Sequence, residues 1–163
     1  MKKFWIQISI LAIIIISSLY VSTNPQLLSG LSLGGYLQKQ QQIKIGDTVV
    51  NVDVADTPSL RTAGLSGRQS LGEGQGMLFV FPESKKYQFW MKGMHFPLDF
   101  IFISQGRVVD ILPNIAQPSS SNQTDLPVYE PTVPIDMMLE VNAGFAGSHN
   151  IKVGDSVFQI QNP

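Results

Sequence analysis

The sequence predicts a mainly-β domain, a compact β-sandwich or distorted barrel of about eight short strands with one short helix, preceded by an N-terminal transmembrane helix. Three observations carry this reading. Between Ile43 and Ile160, short apolar runs alternate with Gly, Pro, Asn and Asp clusters, the pattern of an all-β domain. Phe4 to Val21 is an uncharged, mostly apolar stretch behind Lys2 and Lys3. The chain has 163 residues, 44% hydrophobic and 14% charged. That is room for one domain. It is also too apolar for a disordered chain and too sparsely charged for a coiled coil.

The N-terminal stretch holds four polar residues, Gln7, Ser9, Ser17 and Ser18. As a helix it is about 27 Å long, close to the hydrocarbon thickness of a bilayer. Lysines before it, and no charge after it until Lys39, place the N-terminus in the cytoplasm and the rest outside. Signal peptides share this layout. Here only Val21 and Thr23 offer a cleavage pattern, and a poor one, so residues 1–24 read as an uncleaved signal anchor. Residues 25–41 read as a linker, with Gly30, Gly34, Gly35 and the polar run Gln38 to Gln42. Residues 42–163 are then an extracytoplasmic domain. With Lys2 and Lys3 set aside, nine basic residues face twelve acidic ones, a net −3.

Ile43 to Ile45, Gly46-Asp47 and Thr48 to Val54 read as a hairpin, with Val50, Val52 and Val54 on one face. Thr57 or Asp56 caps a short helix with Pro58 in its first turn, and Gly64 ends it. Leu65 to Gln75, with Gly67, Gly72 and Gly74, is a loop. Gly76 to Phe81 is an apolar strand closed by Pro82, and Tyr87 to Lys92 is another, ending at Gly93. Leu98 to Ile103 and Arg107 to Leu112 pair across Ser104-Gln105-Gly106. Pro113 to Pro134 holds five of the ten prolines and reads as irregular. Met137 to Val141 is a strand, Ala143 to Asn150 a loop or single helical turn, and Ser156 to Ile160 the last strand.

Several function classes are excluded. No basic patch exists for phosphate contacts, so no nucleic-acid partner is expected. No cysteine exists, which removes disulfides, thiolate nucleophiles, zinc–thiolate sites and iron–sulfur clusters. Two histidines, His95 and His149, cannot make a three-histidine metal site. No cofactor is expected. No nucleophile elbow or Ser–His–Asp order stands out, and the sequence leans away from catalysis.

The informative residues are polar ones in apolar runs. Strand parity puts Tyr87, Phe89 and Met91 on one face and Gln88, Trp90 and Lys92 on the other. Trp90 and Lys92 fit a groove wall; they equally fit a large core residue and a solvated strand end. Asp99 lies in Leu98-Asp99-Phe100-Ile101-Phe102-Ile103, apolar on both faces. A carboxylate buried there needs donors or a cation, from Arg61, Arg68, Lys92 or backbone N–H groups of the Lys92–Phe96 loop. It fits a ligand anchor or an architectural pair. Glu140, in Met138-Leu139-Glu140-Val141, poses the same choice. Arg61 and Arg68, two of three arginines, flank the glycine-rich loop and suit carboxylate or phosphate recognition, or a structural pairing.

Taken in order, Ala55-Asp56-Thr57-Pro58…Arg61…Gly64-Leu65-Ser66-Gly67-Arg68…Leu71, Gly76-Met77-Leu78-Phe79-Val80-Phe81, Phe89-Trp90-Met91-Lys92…Pro97-Leu98-Asp99-Phe100-Ile101-Phe102, Leu139-Glu140-Val141-Asn142-Ala143-Gly144 and Gly154-Asp155 resemble domain of unknown function family 192. The likeness spans residues 43–161. It implies a prokaryotic protein, often exported or anchored, with a sandwich-like β fold and no established activity. It also implies which positions to watch: Arg61, Arg68, Trp90, Lys92, Asp99 and Glu140. Many members carry Asn-Thr after the Trp-Met-Lys, where this chain has Gly93-Met94.

The expected function is therefore binding without chemistry. A membrane-anchored domain would take a small polar, anionic or carbohydrate ligand, or an envelope partner protein. Two alternatives stand beside it: a cell-envelope hydrolase using Asp99 and Glu140, and a structural accessory of a membrane complex.

Overall fold

The computed structural model describes residues 40–119 and 125–160. The expected anchor, 1–24, lies outside them; among the described residues no helix is long and apolar enough to cross a membrane. Strands β1 (Gln40–Ile45) and β2 (Thr48–Ala55) form the expected hairpin across Gly46-Asp47. β1 begins two residues inside the stretch read as linker. Helix α1 (Pro58–Ala63) follows, its N-terminus capped by Thr57 Oγ1, which accepts from the Leu60 amide at 3.3 Å. Then come β3 (Gln75–Lys85), β4 (Leu98–Ser104), β5 (Arg107–Ile115), β6 (Ile135–Asn142), the single-turn helix α2 (Phe145–Ser148) and β7 (Val157–Ile160).

These seven strands make one sheet in the order β5-β4-β6-β3-β2-β1-β7. Only β2 and β3 run parallel, the crossover between them carrying α1. The sheet curls into a half-barrel until its two edges touch at one bridge, Arg107 to Ser156. There the Val108 amide donates to Asp155 O at 2.9 Å and the Gly154 amide to Val108 O at 2.8 Å.

Strand alternation sorts the core onto two faces. All seven strands feed the inner face, with Ile43, Val52, Leu78, Ile101, Leu139 and Val157 among its members, and α2 adds Phe145 and Ala146. The outer face is more aromatic: Phe79, Phe100 and Phe102 stand with Met77 and Met138, and loops lay Leu65, Met91 and Met94 over them. Central strands covered on both faces explain why β4 and β6 read as largely apolar runs, interrupted by Asp99 in one and by Asp136 and Glu140 in the other.

Three expectations are corrected. Tyr87 to Lys92 is not a strand: one bridge, Phe89 to Tyr129, is its only ladder contact, so the described residues hold seven strands rather than eight. Pro82 does not close β3, which continues to Lys85 through a register shift between Val80 and Lys85; the irregularity leaves no amide needed at the proline. β5 likewise runs through Pro113 to Ile115. As the edge strand next to β4 it has a side without ladder partners there.

Candidate functional site

Glu140 stands in central strand β6, in one row with Met77 of β3 and Phe100 of β4. Both neighbours are fully buried. β3 can approach this point closely because Gly76 has no side chain; a Cβ there would lie 2.8 Å from the Glu140 carbonyl oxygen. Glu140 is 7% exposed and lines a pocket of about 560 Å³ on the outer face. No donor among the described residues bonds its carboxyl group. Burial without a compensating partner pushes its pKa up to about 8. At neutral pH Glu140 is thus mostly a neutral acid.

Aromatic rings line the same pocket. Phe79 and Phe81 come from β3, Tyr87, Phe89 and Trp90 from the segment after it. Phe81 stacks on Tyr87 with centroids 3.9 Å apart. The Phe89 and Tyr129 backbones exchange two hydrogen bonds of 2.9 Å, and Gln88 Nε2 donates to Glu130 Oε1 at 2.6 Å. Buried Met91 and Met94 fix the segment from below. Trp90 remains 52% exposed and Lys92 is exposed, so the alternation read from the sequence survives without a strand.

Arg61 enters from the last turn of α1. Its Nη1 donates to Asp56 O at 2.7 Å and to Val80 O at 2.8 Å, and its guanidinium carbon lies 5.8 Å from the Phe81 centroid. Two carbonyls and a ring hold the head in place. Its other nitrogens have no partner among the described residues. At the mouth, Gly93 has φ +70° and its carbonyl accepts from the Gly67 amide at 2.9 Å. A Cβ at Gly93 would collide with Ser66 Oγ. Glycine reaches this left-handed region without a Cβ, and asparagine is among the residues that tolerate it best.

Of the six candidate positions, the fold brings Arg61, Trp90, Lys92 and Glu140 to this pocket and sends two elsewhere. Arg68 pairs with Asp53, Nη2 to Oδ2 at 2.8 Å. Asp99 is fully buried and points to the inner face. Its Oδ1 accepts from the Asn114 and Gly144 amides at 2.8 and 3.0 Å, and its Oδ2 from Ala146 at 2.9 Å. The donors are backbone groups of β5 and the start of α2, not the Lys92–Phe96 loop. Because Asp99 faces Val141 while Phe100 faces Glu140, the two carboxylates lie on opposite faces. They form no acid–base pair, and the two-carboxylate hydrolase has no geometry here. The aromatic wall was missed from sequence, although Phe79 and Phe81 share parity in a strand already recognised. Among the described residues no group of three His, Asp or Glu could hold a metal ion.

Among the described residues a single curled sheet carries an open, aromatic-lined pocket on its outer face, which defines a small β domain. The chain belongs to the DUF192 family, described as Uncharacterized ACR, whose model matches residues 41–159. No curated protein matches it. Among solved structures it is similar to a Sinorhizobium meliloti protein described as a candidate transcription regulator. The two share 29% identity with a TM-score of 0.67, over 75% of this chain and 95% of that one. It is also similar to a protein of unknown function from Novosphingobium aromaticivorans, at 28% identity and a TM-score of 0.66, over 73% of this chain and 84% of that one.

Proposed function

We propose that this chain is a single-pass membrane-anchored, extracytoplasmic domain that binds a small ligand carrying an anionic group, without chemistry of its own. Lys2, Lys3 and the apolar run after them support the anchor. One observation carries the binding reading: Glu140 is a buried acid with no partner among the described residues, at an open pocket that Arg61 and Lys92 also line. Such a residue weakens the fold. Its place in a pocket of ligand size gives it a use. Arg61, pinned by two carbonyls, offers its remaining donors to a carboxylate or phosphate, and Trp90 offers a face for a sugar or aromatic ring.

The test is a titration of benzoate, glucuronate and inorganic phosphate against the Trp5→Phe variant, following Trp90 emission. A saturable change is expected with a carboxylate. Arg61→Ala and Lys92→Ala should each weaken it by about tenfold, since each removes one charged contact, with the circular dichroism spectrum unchanged. Emission unmoved by all three probes would sink the reading.

A further inference from the structure

The pocket keeps its acid apart from its cations. Arg61 and Lys92 line it together with Glu140, yet no ion pair joins either cation to that acid. Arg61 is held toward Asp56 O and Val80 O instead. The side chains beside Glu140 on β3 and β4 are apolar, Met77 and Phe100. The titratable groups that line the pocket with it are Arg61, Tyr87 and Lys92. The rings of Phe79, Phe81, Phe89 and Trp90 present negative faces, which attract cations. An anion alone would engage Arg61 and Lys92 and could take only the O–H of the neutral Glu140 acid. A cation alone would satisfy the acid and meet repulsion at the rim.

We infer, resting on the binding function proposed above, that the ligand is a zwitterion: its ammonium pairs with the Glu140 carboxyl among the aromatic rings, and its anionic group sits on Arg61 and Lys92. Seating the ammonium moves one proton. The Glu140 carboxylic acid loses its O–H proton to buffer, and the carboxylate left behind pairs with the ligand's existing positive charge. The raised pKa of about 8 means the proton is present at neutral pH to be lost.

The test uses the full chain and three matched probes, 6-aminohexanoate, hexanoate and hexylammonium, in calorimetric titrations at pH 7 in two buffers of different ionisation enthalpy. Shorter ω-amino acids, each with its matched carboxylate and ammonium, extend the set. For at least one length, the amino acid should bind about tenfold tighter than either partner probe and release about one proton. Glu140→Gln should bring its affinity down to that of the plain carboxylate and abolish the release. If hexanoate binds as tightly as 6-aminohexanoate and no amino acid of any length does better, or if no proton leaves, the zwitterion is wrong while the anion site stands. If no carboxylate binds at all, both readings fall.

Discussion

Two buried acids sit on neighbouring strands, one on each face of the same sheet, and their surroundings differ in kind. Asp99 meets three backbone amides within 3.0 Å. Glu140 meets none among the described residues, and its pKa rises to about 8. Burial is common to both, so burial does not separate architecture from function; the supply of donors does. Asp99 ties the end of β5 and the turn into α2 to β4, an internal task. Glu140 answers to nothing within the described fold and faces a pocket.

The comparison can be broken most readily at Asp99. Asp99→Ala orphans three amides at once and should lower stability by about 3–5 kcal/mol, with Asp99→Asn intermediate. Urea denaturation midpoints measure it, and a midpoint equal to that of the wild type would remove Asp99 from its architectural role.

Glu140 should behave in the opposite sense. Its pKa is raised from 4.5 to about 8 on folding. Between those values the folded chain holds a proton that the unfolded chain has lost, so stability falls as pH rises through this window. Below pH 4.5 both states are protonated and the penalty vanishes. Glu140→Gln should therefore match the wild type at low pH and exceed it by about 2–4 kcal/mol above pH 8. Parallel stability–pH curves for the two proteins would mean that Glu140 finds a partner.

The smallest effect tests the pocket's mouth. Gly93→Ala meets a positive φ and Ser66 Oγ together and should cost about 1–2 kcal/mol, Gly93→Asn less. Thermal melts of the two variants that coincide would show that the backbone shape at 93 is not what the residue provides.

Both acids were legible as buried from their apolar runs, and neither role was. Parity within β4 or β6 is written in each strand. The register that sets Asp99 against Val141, and so places the two acids on opposite faces, comes from pairing across the sheet. Backbone donors were still less visible, because the amides of Asn114, Gly144 and Ala146 carry no side-chain signature. Arg61 and Arg68 looked equivalent beside their glycine-rich loop. The turn at Gly64 parts them, leaving Arg61 on α1 and Arg68 with Asp53. The Tyr87–Lys92 run shows that alternation reports which side chains are covered, while strand formation also needs a neighbour with free ladder groups, and among the described residues only Tyr129 supplies one.

The strand order has a consequence for how the domain is made. Among the described strands β7 leaves the ribosome after the other six, lies against β1, the earliest of them, and the residues just before it touch β5. Until Val157–Ile160 has emerged, a nascent chain carries two open edges, one on β1 and one on β5, each able to recruit a stray strand. Four residues then act as a latch, covering the β1 edge and bringing the other edge to its single bridge. Premature stops just upstream of Val157 should accordingly yield chains that aggregate during synthesis rather than chains that fold with a missing edge.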